Sequence, residues 1–389
     1  MLTEFQVKNY KSLRDLRLEP GRVTVLTGDN GAGKTNILEA FAFAGAALGD
    51  KLDHEFLASR GIRTTEPRFM RSAFAVDDDT KIDIRLAQGP ERVGFHVETA
   101  PTRRGFWKTV LGERGIRSPK ETLLLDSFRT AFRSVIQGDD ERVSEEELAE
   151  FVDARLAQIF LRDNFDPLKS FLIYSPENDA LRSFAQEGQI LPLGIRGEGL
   201  FQLLKQLAAD PARLAELRDN LRLVDWFEDL QISTDLAPYE RTLRIRDRWL
   251  AAPEGSPLET FDQRSANEGF LFLLFYFALV ISPDTPRLFA IDNLDASLDP
   301  RLCTELMRRL VALAARYGKQ ILITTHNPAI LAGLDLHDPD QRLYTVHRDG
   351  KGHTRAERVL AAPLPGEERQ SELSEVFRRV LLEGPSQGS

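Results

Sequence analysis

The 389-residue chain has one cysteine, Cys303, so it cannot form an internal disulfide framework, and a lone thiol suits a reducing cytoplasm. Long apolar runs are also missing. The longest, GFLFLLFYFALVI over 269–281, has the length of a buried helix and falls short of the ~20 residues that span a bilayer. The N-terminal MLTEFQVKNYKSLRDL has no apolar core of the signal-peptide kind. A cytoplasmic protein without a membrane segment is therefore expected. Positive charge is in deficit, with 51 Lys and Arg against 60 Asp and Glu and a net charge of −9, which argues against a chain that coats nucleic acid by itself. Neither a Cys/His zinc pattern nor a metal-nuclease cluster is visible, and no repeat or sustained heptad appears.

What is present is ordinary globular composition, 42% hydrophobic and 29% charged, enough to bury a core in two or three domains or one elaborated one. Strand-like residues 4–7 and 23–27 precede GDNGAGKT, and the alanine-rich NILEAFAFAGAAL reads as the following helix. RFMRSAFAV, KIDIRL and VGFHVET, separated by DDDT and QGPER, read as an antiparallel meander. From about residue 119 the spacing turns helical, in ETLLLDSFRTAFRSVI and in SEEELAEFVDARLAQIF, where Ser144 and Glu147 suggest a capping box. FLIYS interrupts as a strand. Helices resume in GEGLFQLLKQLAA and PARLAELRDNL, and alternation returns with RLFAID, the helix from Pro300, and QILITTH. The expected division is 1–105, half of a nucleotide lobe with its meander; 106–262, a mostly helical insertion; 263–360, the other half; and 361–389, a tail.

GDNGAGKT fits G-x-x-x-x-G-K-[ST] with Gly28, Gly33, Lys34 and Thr35. Glycines let successive backbone amides face a phosphate, Lys34 adds a point charge, Thr35 offers a hydroxyl to Mg²⁺, and the helix beginning here adds its positive end. Asp292 ends the apolar strand LFAI, where a carboxylate can reach Thr35 and share the metal. ATP and Mg²⁺ are the implied ligands.

NYKSL, NGAGKTN, and IDNLDASLD followed by ILITTH together resemble the RecF/SMC branch of ABC-type P-loop ATPases. The resemblance implies an α/β fold: an ABC-ATPase-like P-loop NTPase with an antiparallel β subdomain and an inserted helical lobe. It carries Asn30, Gly31, Gly33, Lys34, Thr35 and Asn36 into the nucleotide site, Thr35 and Asp292 to the metal, and His326 to the terminal phosphate. Asp299, in Ser297-Leu298-Asp299, resembles the loop that crosses a dimer interface. RSANEGFLFLL stands where the family has its signature, in a degenerate form: Ser265 is the contact, or Asn267 with Glu268-Gly269 takes that register. The resemblance also implies a homodimer closed around two ATP molecules. Glu177 or Asn178 stands where a polar sensor occurs, and a plain helix cap reads as well.

The chain departs from the family in two ways. Coiled-coil arms are absent, and only about 60 residues follow His326, so an appended nuclease is not expected and effector chemistry would come from a separate nuclease or toxin. The position after Asp292 holds Asn293, an amide that cannot take a proton, where the family has a glutamate. A lost general base costs roughly 10²–10⁴ in rate, so slow hydrolysis is expected, with Asp295 as a possible substitute base. Arg244, Arg246 and Arg248 alternate with Leu243, Ile245 and Trp249, and RRGFWK (103–108) mixes bases with aromatics; both permit nucleic-acid contact. The reading is an ATP-driven switch in bacterial anti-phage defence or DNA repair. A non-hydrolysing scaffold is the alternative, and a transporter subunit is disfavoured by the degenerate signature.

Overall fold

A computed structural model describes residues 1–74, 81–99, 107–115, 165–184, 192–232, 241–250 and 260–361. The helical stretches expected at 121–136 and 144–160, residues 103–106 of RRGFWK, and the tail after 361 lie outside the described residues. The strands are β1 Glu4–Tyr10, β2 Leu13–Leu18, β3 Val23–Thr27, β4 Ile82–Gln88, β5 Glu91–Thr99, β6 Trp107–Gly115, β7 Ile173–Tyr174, β8 Phe227–Ile232, β9 Leu243–Asp247, β10 Thr260–Phe261, β11 Leu288–Ile291, β12 Gln320–Thr325, β13 Gln341–Arg348 and β14 Thr354–Val359. The helices are α1 Lys34–Leu48, α2 His54–Ser59, α3 Pro67–Met70, α4 Asp166–Lys169, α5 Asn178–Arg182, α6 Leu200–Ala208, α7 Pro211–Leu221, α8 Glu268–Ile281, α9 Pro300–Tyr317 and α10 Pro328–Leu331. Among the described residues no helix is long and apolar enough to cross a membrane.

A six-stranded sheet, in the order β14-β13-β3-β12-β11-β7, forms the centre. Its inner strands VTVLT, LFAI and QILITT are buried at every position, as parallel strands covered on both faces must be. Alternate side chains go to opposite layers. Phe289, Ile291, Ile321 and Ile323 join a core with α6, α7, α8 and α9, whereas Leu288, Ala290 and Leu322 join a second core with α1 and the N-terminal strands. α8 is apolar on every side, which fits its place inside the first core.

A five-stranded antiparallel sheet, β2-β1-β4-β5-β6, covers the outer side of α1, and a small sheet, β10-β9-β8, joins the helical side. Two sequence expectations change here. β2 was hidden inside NYKSLRDL, and the described part of RFMRSAFAV, residues 68–74, is not a meander strand. Pro67 opens the short α3, for which its fixed φ is suited, and only Arg71 bridges to Tyr10. β6 supplies the meander's third strand instead.

α1 lies between the two larger sheets and carries Glu39, a carboxylate with no exposed surface. Lys11, in the β1–β2 turn, reaches Glu39 Oε2 at 2.6 Å, and Arg63 reaches Oε1 through Nε at 2.7 Å and through its backbone N–H at 3.0 Å. These bonds tie the turn and the loop after α2 to the helix that follows the phosphate motif. Removing one partner of a buried pair strands the rest, at about 3 kcal/mol. Glu39→Gln should lower unfolding free energy by that amount in urea titrations, and a loss below ~1 kcal/mol would show that the cations stand without it.

Candidate nucleotide site

The loop 28–33 links β3 to α1. Gly33 has φ 107°, and a Cβ there would sit 2.2 Å from Thr354 Oγ1, so a side chain is excluded by conformation and by space. Asn30 and Gly31 form the exposed tip. Lys34 is buried, and its ammonium folds back onto the carbonyls of Gly28, at 2.8 Å, and Asp29, at 3.0 Å. Burial lowers its pKa, while the charges of Asp292, Asp29 and Asp295 favour the cation.

Two parallel strand ends meet this loop. Asp292 follows β11, accepts from Thr35 Oγ1 at 3.2 Å through Oδ2, and accepts a hydrogen bond from Thr324 Oγ1 through Oδ1. Its own N–H donates to Tyr174 O at 2.8 Å. His326 follows β12 with Nδ1 3.5 Å from Lys34 Nζ. Burial first and Lys34 second lower its pKa, which favours the neutral ring at pH 7, so that one ring nitrogen can accept a hydrogen bond. Asn293 is exposed, at φ 55°, a left-handed conformation that asparagine tolerates, with its N–H donated to Thr324 Oγ1 at 2.9 Å. Asp295 accepts from Thr325 Oγ1 at 2.5 Å. Lys34, Thr35, Asp292 and His326 thus come together, with Asn293 beside them.

A second cluster forms around the start of α8. Asn267 caps α8 by accepting from Phe270 N–H at 2.7 Å, and Ser265 closes a turn on Asp262. A Cβ on Gly269 would lie 3.1 Å from Ser297 O, so the loop 293–299 runs close to this helix start. Asp299 caps α9, accepting from Arg301 and Leu302 N–H at 2.9 and 3.1 Å. Among the described residues none of these four shares a hydrogen bond with the phosphate loop. Glu177 pairs with Arg196 at 3.5 Å, and Asn178 Oδ1 accepts from Arg182 Nε at 2.9 Å.

The arginine stripe is partly as read. Leu243 and Ile245 are buried and Arg244 and Arg246 exposed along β9. Arg248 and Trp249 both lie in the turn after the strand, Arg248 exposed off the strand face and Trp249 74% exposed rather than opposite the arginines.

Contacts from outside the loop, most of them without a sequence signal, hold it in place. Asn36 donates to Ser12 Oγ at 2.7 Å and accepts from Arg63 Nη2 at 2.9 Å. Ser12 Oγ lies 2.7 Å from Thr354 Oγ1, which donates to Ala32 O at 2.8 Å, and Arg348 Nε donates to Gly31 O at 3.1 Å. The β13–β14 hairpin and the β1–β2 turn therefore hold the loop from outside. NYKSL marked the turn without revealing what it grips, and nothing in the β14 sequence marks Thr354.

The residues suit Mg²⁺ and a polyphosphate. Thr35 and Asp292 bring a hydroxyl and a carboxylate within 3.2 Å. Mg²⁺ takes one or two such oxygens plus phosphates and water, so it does not require a protein-only cage. Among the described residues no group of three or more His, Cys, Asp or Glu could form one.

Comparison with known proteins follows the same lines. Residues 23–332 match the family described as "AAA domain, putative AbiEii toxin, Type IV TA system". An OLD nuclease of Thermus scotoductus is 32% identical over 119 residues, 27% of this chain and 21% of that protein, so the chain spans about a fifth of that relative. The crystal structure of an SMC head bound to the C-winged helix domain of ScpA superposes with TM-score 0.51 at 14% identity, covering 92% of this chain and 97% of that one. The SMC head domain of Thermotoga maritima gives 0.47 at 16% identity, covering 92% and 99%. The fold resembles that of the SMC head, and the chain belongs to this AAA-domain family.

Proposed function

We propose that the chain binds ATP with Mg²⁺, hydrolyses it slowly, and closes with a second copy around two nucleotides as a switch for a separate effector. The observation that carries this reading is the meeting of Lys34, Thr35, Asp292 and His326 beside an amide, Asn293, in place of a carboxylate. In this account the loop amides from Asn30 through Asn36 and the Lys34 ammonium take the phosphates. Lys34 exchanges its bonds to the Gly28 and Asp29 carbonyls for phosphate oxygens. Thr35 and Asp292 hold Mg²⁺, which neutralises phosphate charge when bound. A neutral His326 faces the terminal phosphate.

Asn293 orients water by hydrogen bonding and removes no proton from it. Starting from a typical ~10 s⁻¹, loss of a general base predicts turnover of about 10⁻¹ to 10⁻³ s⁻¹. Ser265, Asn267, Gly269 and Asp299 serve the partner's nucleotide. Among the described residues they share no hydrogen bond with the phosphate loop of their own chain, which is compatible with this division. Asn267 and Asp299 already cap helices, so at that contact the α8 backbone amides and Ser265 do the work. The divisions 1–105, 106–262, 263–360 and 361–389 remain our assignment of lobes.

The effector is proposed to be a nuclease or toxin on another chain, in anti-phage defence or DNA repair. The family description naming a toxin and the partial match to an OLD nuclease support that setting. Arg244, Arg246 and Arg248 are the surface proposed for nucleic acid. A non-hydrolysing ATP scaffold is the second reading, favoured by the exposed Asn293.

Single-turnover hydrolysis of radiolabelled ATP separates the two. The switch predicts ADP formation on the minute scale that Lys34→Ala abolishes, and no ADP above that control over hours leaves the scaffold. Asn293→Glu should raise the rate at least ~10-fold, while the left-handed backbone costs the new side chain about 1 kcal/mol of stability. No acceleration would place the activating group elsewhere.

A further inference from the structure

The loop 293–299, between β11 and α9, is laced to the end of β12. Thr324 Oγ1 bonds the Asp292 carboxylate and accepts the Asn293 N–H, and Thr324 O accepts the Leu294 N–H at 3.1 Å. One residue on, the Thr325 hydroxyl donates to Asp295 Oδ1 at 2.5 Å and accepts the Asn327 N–H at 2.9 Å. Thr325 has no exposed surface, so this hydroxyl does not trade its bonds with water. At the loop's far end Ser297 Oγ hydrogen-bonds Glu268, in the first turn of α8. Asn293 and Ser297 both hold positive φ, 55° and 62°, a state non-glycine residues keep only when their surroundings enforce it.

We propose that Asp295 is a positioning residue: through the Thr325 hydroxyl it locks the backbone on both sides of His326, so the loop 293–299 and His326 move together. This rests on the reading of His326 as the phosphate-facing group. One hydroxyl bonds the loop's carboxylate and the amide just past His326, so a shift of either is felt by the other. Ser297 carries that shift to the start of α8, where Asn267, Glu268 and Gly269 sit.

Asp295 stands between the nucleotide side and the core. Burial raises the pKa of the Tyr276 hydroxyl and of the Cys303 thiol, and the charge of Asp295 adds to both. On the nucleotide side the same charge favours the cations of Lys34 and His326 against the lowering by burial. Among the described residues the Tyr276 hydroxyl is wholly buried without a hydrogen-bond partner. With Oδ1 held by Thr325, Asp295 orients the histidine segment.

The test uses the full chain and three readouts: ATP affinity, single-turnover rate, and hydrogen exchange without nucleotide. Thr325→Val keeps the shape and deletes the hydroxyl. It should slow hydrolysis ~10- to 100-fold with the ATP Kd within about threefold, and Thr325→Ser should restore the rate to within about threefold. Asp295→Asn can still accept from Thr325 and should stay within about fivefold of wild type, whereas loss of a base would cost about 10²-fold or more. Thr325→Val hydrolysing at the wild-type rate overturns the proposal, and so does a collapse in Asp295→Asn alone, which would mark a base. In the absence of nucleotide, Thr325→Val should speed exchange at the Leu294 and Asn327 amides. Unchanged exchange overturns the tether, whereas faster exchange in a chain that binds no ATP upholds the tether and overturns only the nucleotide reading.

Discussion

Thr35 and Asp292 are 257 residues apart in sequence and 3.2 Å apart in space, and the order β3-β12-β11 in the central sheet closes that gap. In-register parallel pairing brings Thr27 level with Thr325 and Ile323 level with Ile291. The phosphate loop, Asp292 and His326 therefore leave the sheet at the same edge. Open α/β sheets bind ligands beyond the carboxyl ends of their strands. Burial of β3, β11 and β12 on both faces holds this register, because a one-residue slip would send every side chain to the wrong layer. The rest of the fold protects that edge. α8 and its neighbours fill one face, α1 and the N-terminal strands the other, and the β13–β14 hairpin braces the loop through Thr354 and Arg348.

Lys34, Thr35, Asp292 and His326, which the structure brings together, were legible as a motif and as the polar ends of apolar runs. Gly33, Lys34 and Thr35 form a motif that only a few backbone paths satisfy, and Asp292 and His326 each end an apolar run. Residues acting through burial were not legible. Glu39 looks like any glutamate in an alanine-rich helix, and only folding shows that it has no exposed surface and holds two cations. Thr324 and Thr325 read as β-branched filler in ILITT, yet their hydroxyls link Asp292, Asn293, Asp295 and Asn327. RFMRSAFAV looked like a strand because propensity ignores Pro67, which opens α3. Of the described residues 68–74 only Arg71 pairs with β1, through Lys11 N–H to Met70 O and Ser72 N–H to Asn9 O. Trp249 followed strand alternation on paper, but β9 ends at Asp247, so it falls in the turn.

Asn293 links the local chemistry to the proposed switch. Its backbone sits in a conformation asparagine accepts more readily than glutamate, and its N–H is part of the Thr324 lacing. Asparagine at 293 thus suits the left-handed turn that starts the loop 293–299, beside the role we propose for its side chain. A slow reaction and a firmly held loop are compatible demands on one residue. Slow chemistry would lengthen the life of a closed, ATP-bound state, which is what a switch acting on another protein requires.

The account stands or falls on closure around nucleotide. Sedimentation velocity of the full chain with ATP and Mg²⁺, against the same protein without nucleotide and against Lys34→Ala, measures it directly. The account predicts a shift from monomer to dimer in wild type with ATP–Mg²⁺ and none in Lys34→Ala. A wild-type chain that binds ATP and stays monomeric would contradict it.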